Sequence, residues 1–173
     1  MHLTKISFVL SVGVSASVIA QCDPVWDTAL GNPGISAGYI QPMLGWDDGT
    51  GEKFYVGGSA QNIGGGASVD HLGQYDPTTG NWSRVGLGID GGGTNAFLTR
   101  LRAWDDGNGE MLYVSGFFAE AGFVADTKSI AAWDGNAWHS IGAGFPDNTA
   151  NAVYDMYPAD LGNGERLYIF WQF

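Results

Sequence analysis

The sequence has few of the residues on which several common functions depend. Its 173 residues include one cysteine and three histidines, and seven basic residues stand against 18 acidic ones, for a formal net charge of −11. A single cysteine excludes a disulfide framework within the chain. Scarce and scattered Lys and Arg disfavour both the clustered phosphate contacts of nucleic-acid binding and an anionic membrane surface. We therefore expect no nucleic-acid partner.

Long apolar runs are also scarce, and the longest has the pattern of an export signal. Lys5 precedes the run ISFVLSVGV, and Val18 and Ala20 occupy the −3 and −1 positions of a cleavage site. Ser and Gly interrupt this run, whereas a membrane span needs about 20 apolar residues. We predict a signal peptide at 1–20, no transmembrane segment, and a secreted or cell-envelope location, periplasmic or extracellular. Cys22 is then a free thiol or the partner of a cysteine in another chain.

The abundant residues, which are glycine, aspartate and aromatics, recur at a fixed spacing. WDDGTGEKFYVGG at 46–58 returns as WDDGNGEMLYVSG at 104–116, 58 residues later, and ADLGNGERLYIFW at 159–171 follows after another 55. Such self-similarity is the signature of a repeat architecture. We divide the chain into a signal peptide (1–20), an N-terminal segment with a lone strand (21–39), a first unit (40–95), a second unit (96–150) and a truncated third unit (151–173).

Each unit has the pattern of strands joined by turns, because short β-branched and aromatic runs alternate with clusters of Gly, Asp and Asn. No window has sustained helical periodicity, and each interior glycine would cost a helix about 1 kcal/mol relative to alanine. The predicted fold class is therefore all-β, with WDDG as the turn of a hairpin. We place the strands at 40–46, 53–58, 70–76 and 82–87, and at 97–104, 111–116, 129–134 and 137–142.

These units resemble kelch-type blades of the galactose-oxidase-like β-propeller, in the form found in exported bacterial proteins. The resemblance rests on a second strand ending in FYVGG, an aromatic on the third strand and Trp on the fourth, and it covers about residues 26–169. It implies a partial β-propeller of four-stranded antiparallel blades, about two and a half of them, where closed rings typically have 4 to 8. Ser115 and Phe170–Trp171 depart from the pattern, since they replace the glycines.

The resemblance also implies a role for the N-terminal segment, because propeller rings are often closed by a terminal strand. VWDTALGNPG at 25–34 is similar to a lone fourth strand, with Trp26 and Gly31 in the places of Trp82 and Gly86. We expect a truncated product, and the alternatives are a fragment of a longer gene and a protomer that closes only by association. Open blade faces expose apolar surface, so we expect self-association.

Residues with recognisable chemistry are few, and we predict no catalytic residue and no cofactor. His71 and His139 stand opposite serines in the repeat, so we interpret both as exposed and without a role. The copper site of galactose-oxidase-like enzymes uses Tyr, His and Cys, but Cys22 lies outside the repeats. The triplets Gly64–Gly66 and Gly91–Gly93 lack the Lys-Ser/Thr of a phosphate loop and are interpreted as flexible connections.

The acidic turns offer an alternative, which is calcium binding. Calcium takes 6 to 8 oxygen ligands and favours several carboxylates on one loop. The spacing differs from the helix-loop-helix template, and a solvated turn explains the same residues. The calcium candidates are Asp47, Asp48, Glu52, Asp105, Asp106 and Glu110.

Binding is expected in the longer connections, because long loops on a repeated scaffold are where ligands usually bind. These connections are 59–69 and 117–128, and the second contains the binding candidates Phe117, Phe118 and Phe123. Packing between units is the alternative for these rings. We expect a noncatalytic exported module that binds a glycan or a protein at the cell surface. The alternative is a fragment of a propeller enzyme whose active site lies in further blades.

Overall fold

The computed structural model describes residues 34–35, 37–90, 95–145 and 152–172. The predicted signal peptide, Cys22, Trp26, Gly31 and Gly91–Gly93 lie outside these residues. Within them the chain forms strands and no helix, which confirms the all-β prediction. The strands are β1 (Ile40–Asp47), β2 (Glu52–Gly58), β3 (Asn62–Ile63), β4 (Ala67–Ser68), β5 (Leu72–Asp76), β6 (Asn81–Arg84), β7 (Ile89–Asp90), β8 (Phe97–Asp105), β9 (Glu110–Phe117), β10 (Glu120–Ala121), β11 (Ile130–Trp133), β12 (Trp138–Ser140), β13 (Val153–Asp160) and β14 (Glu165–Trp171).

The strands pair into several small antiparallel sheets, none of them closed. The first sheet has the order β1-β2-β5-β6, the second has the order β8-β9-β11-β12, and β13 and β14 form a third hairpin. Each of the eight strands predicted in the first two units is present within a few residues of its predicted bounds, and the lone strand predicted at 25–34 lies almost entirely outside the described residues. The short pairs β3–β4 and β7–β10 were not predicted, because two-residue strands leave no periodicity to detect.

The sequence repeat is also a structural repeat, since the three hairpins share one irregularity. In each of them the pairing register shifts near the start of the first strand, which is the mark of a β-bulge. The shifts fall at equivalent positions, between Ile40 and Met43, between Leu98 and Arg100, and between Val153 and Asp155.

Glycine is required opposite this bulge in the first two hairpins. A Cβ atom on Gly58 would lie 2.0 Å from the carbonyl oxygen of Tyr39, and one on Gly116 would lie 2.1 Å from that of Phe97. Neither glycine has a positive φ. The close approach of the neighbouring strand, and not an unusual backbone conformation, therefore excludes a side chain here.

The core lies between successive units. Its largest cluster joins the first sheet to the second, and a smaller one joins the second sheet to the third hairpin. β8 packs on β1 and β2, and β13 packs on β8 and β9. The second sheet therefore gives one face to the unit before it and the other to the unit after it. The larger cluster includes Trp46, Tyr55, Leu72, Leu98, Leu112, Val114, Phe118, Trp133 and Trp138, and the smaller includes Tyr113, Ile130, Val153 and Met156.

A tryptophan–glutamate hydrogen bond links each unit to the next. Trp46 Nε1 donates to Glu110 Oε1 over 2.9 Å in a partly buried position, and Trp104 Nε1 donates to Glu165 Oε1 over 2.6 Å in an exposed one. Hydrogen bonds to a charged acceptor are stronger than neutral ones. The repeated turn sequence therefore does more than reverse the chain. Its first residue, tryptophan, and its last residue, glutamate, also join neighbouring units.

Candidate functional site

The predicted acidic turns are closed by their own carboxylates. Asp47 Oδ1 accepts the backbone N–H groups of Gly49 and Gly51, both over 2.9 Å, and Asp105 Oδ1 accepts the equivalent two groups in the second unit. Glu110 Oε1 accepts the indole N–H of Trp46 from the preceding unit. No group of three or more His, Cys, Asp or Glu side chains in the described ranges is placed to hold a metal ion.

Asp48 and Asp106 occupy equivalent places but have different partners. Asp48 Oδ2 accepts from Lys53 Nζ over 2.5 Å, and its side chain is only 4% exposed. Burial raises the pKa of Asp48, but hydrogen bonds from Lys53 and Thr50 outweigh it, so the pKa lies below its ordinary value. Asp106 accepts instead from the backbone and side chain of Asn108. A lysine ammonium thus already neutralises Asp48.

His71 is buried, so the expectation that it is exposed was wrong. It is 5% exposed and has a φ of 72°. Its N–H donates to the carbonyl of Ala60 and its carbonyl accepts from Gly58, which fixes the residue where the chain enters β5. Ser129, with a φ of 63°, holds the same place in the second unit. Local sequence did not reveal this burial because it comes from the connection folding back over the sheet.

His139 is exposed, as expected, and pairs with Asp134 over 2.6 Å. Burial raises the pKa of Asp134, while hydrogen bonds from His139 and from the backbone N–H groups of Ala137 and Asn136 lower it further than burial raises it. These interactions close the turn between β11 and β12. His71 directly precedes β5 of the first sheet, whereas His139 lies in β12 of the second, so the two histidines belong to different units.

The three phenylalanines that are binding candidates lie in three different environments. Phe117 stacks on Phe97, with ring centroids 5.8 Å apart. Phe118 is 2% exposed and belongs to the core between the first and second sheets. Phe123 is 65% exposed. Of the three rings, therefore, Phe123 is the one that is largely open to solvent.

Hydrogen bonds of the Thr127 hydroxyl stabilise the turn that carries Phe123. Thr127 is fully buried, and its hydroxyl accepts the N–H of Ala121 over 2.8 Å and donates to the carbonyl of Val124 over 2.6 Å. Phe123 has a φ of 61°, which is rare for a bulky residue and costs on the order of 1 kcal/mol or more. The buried threonine thus stabilises a strained turn that exposes an aromatic ring.

A cavity of about 230 Å³ opens beside this turn, at the junction of the first and second sheets. Trp133 and Trp138, whose ring centroids lie 5.2 Å apart, contribute its aromatic surface. Their buried indole N–H groups have no hydrogen-bond partner within the described part of the chain. Phe123 lies between two lining residues. The lining comprises Gly86, Leu87, Gly122, Val124, Trp133, Asn136, Ala137 and Trp138.

The connection that carries Phe123 was predicted from the sequence to bind a ligand, whereas Leu87, Asn136 and the two tryptophans were not among the candidates. These four residues belong to strands and turns of the repeat. The recurrence of an aromatic on the third strand and Trp on the fourth was a signal for paired rings. It did not show that a cavity would form where the preceding unit meets them.

Comparison of the chain with protein-family models, with curated proteins and with solved structures gave no match. Among the described residues there is also no helix with the length and apolar character needed to cross a bilayer. Function is therefore inferred from the geometry of the chain itself.

Proposed function

We propose that the protein is an exported, noncatalytic module of the kelch-type β-propeller kind that binds a neutral glycan at the cavity beside Phe123. The propeller assignment is supported by two sheets with the same strand order, the same bulge and a shared core between their faces. Export is supported by the N-terminal sequence pattern.

The exposed ring of Phe123 is the observation that carries the proposal: it stands on a turn held by Thr127, whose residues Gly122 and Val124 line the cavity together with two tryptophans. Strained residues that persist in a well-determined setting concentrate at binding sites. Binding cavities are mostly apolar and aromatic with a few polar groups, and here the Asn136 amide supplies both a donor and an acceptor. The apolar faces of sugar rings stack on such aromatic surfaces.

Charge and lining chemistry narrow the ligand class. A net charge of −11 disfavours anionic polysaccharides and favours neutral ones. Among the described lining residues there is no titratable side chain, so the cavity offers no nucleophile or general base. The lack of such groups at this cavity supports binding without turnover.

The test is a binding screen of soluble neutral oligosaccharides of glucose, mannose and xylose, followed by calorimetry on those that bind. Phe123→Ala should weaken binding about tenfold or more, since loss of one stacked ring is worth roughly 1.4 kcal/mol or more. Leu161→Ala is the matched control, because Leu161 is 70% exposed but lies in the turn of the third hairpin.

Both variants should keep the melting temperature of the parent protein. Wild-type affinity in Phe123→Ala would remove this cavity as the binding site. Cleavage of any oligosaccharide, detected as new reducing ends, would instead support the enzyme alternative.

A further inference from the structure

A depression of about 350 Å³ lies on the outer face of the first sheet, which is the face turned away from the second sheet. Successive side chains of a strand point to opposite faces. Tyr55 belongs to the core shared with the second sheet, so Phe54 and Val56 on either side of it point outward. Phe54 is 39% exposed there. The lining of the depression comprises Gly45, Glu52, Lys53, Phe54, Tyr75 and Pro77.

The same place on the second sheet is filled by a tryptophan of the first unit. Three lining residues have counterparts 58 residues later, which are Glu110 for Glu52, Leu112 for Phe54 and Trp133 for Tyr75. Leu112 and Trp133 belong with Trp46 to the core between the two sheets, and Glu110 Oε1 accepts the Trp46 indole N–H over 2.9 Å. We call this place on each unit its tryptophan seat.

The third hairpin receives a tryptophan in the same manner. Trp104 Nε1 donates to Glu165 Oε1 over 2.6 Å, and Trp104 packs in the core between the second sheet and the third hairpin together with Leu167. Leu167 follows Leu112 by 55 residues. In both interfaces, therefore, a glutamate and the apolar residue two positions after it receive a tryptophan from the hairpin turn of the preceding unit.

The seat of the first unit has the same acceptor and the same kind of apolar floor. Gly45 lies opposite Phe54 in the β1–β2 ladder, and a Cβ atom on Gly45 would lie 3.0 Å from Glu52 Oε1. The carboxylate of Glu52 is therefore held over the outer face beside the depression. In the described residues no indole stands against it, and Glu52 is exposed.

We propose that the tryptophan seat of the first unit binds the tryptophan side chain of a partner protein, presented on a tight hairpin turn. Its indole N–H is donated to Glu52, and its ring packs on Phe54 and Tyr75. Continuity with the two interfaces between units supports this occupant, because each of them places a tryptophan against the equivalent glutamate. Tryptophan is also enriched at the centres of protein interfaces, where it buries a large apolar surface.

A second copy of this chain does not offer a tryptophan from the equivalent place. Stacked in the order of the units, a second copy would bring its third hairpin to this face, and Ala159 holds there the place of Trp46 and Trp104. The indoles of Trp46 and Trp104 are already hydrogen-bonded to Glu110 and Glu165. The partner is therefore a different protein.

The test titrates the full-length protein with the acetylated and amidated peptide AWDDGNG, which reproduces residues 103–109 and presents a tryptophan on the repeated turn. Salt at about 0.15 M screens the repulsion between the acidic peptide and the acidic protein. Binding is followed by NMR through the backbone amides of Gly45 and Phe54. The matched control peptide contains 1-methyltryptophan, which keeps the ring but has no N–H to donate.

The unmethylated peptide should shift both amides, and the methylated peptide should bind about tenfold or more weakly, because a hydrogen bond to a charged acceptor is lost. Glu52→Ala should weaken the unmethylated peptide by a similar factor and should bind the two peptides equally, which a purely structural role of Glu52 would not produce. Glu120→Ala is the charge-matched control, since Glu120 lies in β10 outside the depression, and it should bind both peptides as the parent protein does.

Three results would overturn the proposal. The first is the absence of any shift up to the solubility limit of the peptide, and the second is equal affinity of the parent protein for the two peptides. The third is a concentration-dependent dimer, measured by sedimentation, that Glu52→Ala abolishes, since a second copy would then occupy the seat.

Discussion

The first two hairpins and the third differ at the position opposite the shared bulge. Gly58 and Gly116 allow the bulged strand to approach closely, and Trp171 holds the equivalent place in the third hairpin. The hydrogen bond from Gln172 N to the Ala152 carbonyl measures 3.5 Å, whereas its counterpart in the first hairpin, from Ser59 to Tyr39, measures 3.0 Å. A side chain at this place is thus accompanied by a looser strand end.

The first two hairpins need glycine at this place because the strand has close neighbours on both sides. Gly58 N donates to the His71 carbonyl and Gly116 N donates to the Ser129 carbonyl, so each glycine also joins its hairpin to the third strand of a sheet. The strand therefore has close neighbours on both sides and little freedom to move away. In the described residues the third hairpin has no third strand beside it.

Replacement of Gly58 or Gly116 with valine should cause the largest loss of stability. Gly58→Val and Gly116→Val each place a β-branched side chain against a carbonyl oxygen, and we expect a loss of about 4 kcal/mol or more in the free energy of unfolding. Trp171→Val should cost about 1 kcal/mol, through loss of the ring contact with Phe145. Urea denaturation of the three variants measures the difference. Equal losses at all three positions would contradict the comparison.

Loss of the two tryptophan–glutamate hydrogen bonds between units should lower the stability by smaller amounts, and the two amounts should differ. Glu110→Ala leaves the indole N–H of the buried Trp46 without its charged acceptor and should cost about 2 kcal/mol, whereas Glu165→Ala should cost less than about 1 kcal/mol because Trp104 is only half-buried and its hydrogen bond is exposed. Glu52→Ala is the control, since Glu52 holds the same place in the first unit without an indole against it in the described residues. Thermal unfolding of the three variants gives the ranking. If Glu52→Ala lowered the stability as much as Glu110→Ala does, the hydrogen bond from Trp46 to Glu110 would not be what stabilises the contact between the units.

The smallest difference in stability is expected between variants of the two acidic turns, and this difference should depend on pH. Asp48→Asn should cost about 1 kcal/mol at neutral pH, while Asp106→Asn, which faces no lysine, should cost little. The pKa of folded Asp48 lies below its ordinary value of 3.8, so its ion pair stabilises the fold above that pH. The stabilisation is lost as pH falls through the lowered pKa. Stability curves from pH 7 to pH 2 should therefore converge for the two variants.

Strand positions followed closely from the sequence because alternating side chains and Gly-Asp turns are local signals. The environments of Phe118 and Phe123 did not, although both lie in one connection. Phe118 is buried only because the first sheet covers it, and Phe123 is exposed because Thr127 fixes the turn. His71 was misjudged for the same reason. The Trp133–Trp138 cavity likewise depends on Leu87, which comes from the preceding unit.

The tryptophan–glutamate joints bear on how such a chain lengthens during evolution. Donor and acceptor both lie in the repeated segment, six residues apart at Trp46 and Glu52 and again at Trp104 and Glu110. Duplication of one unit therefore copies both halves of the bond, and the new unit can pair with its neighbour without further mutation. The place of Trp104 in the third hairpin is held by Ala159, which has no donor. A further unit added after this hairpin would need tryptophan at that position before it could join by the same bond.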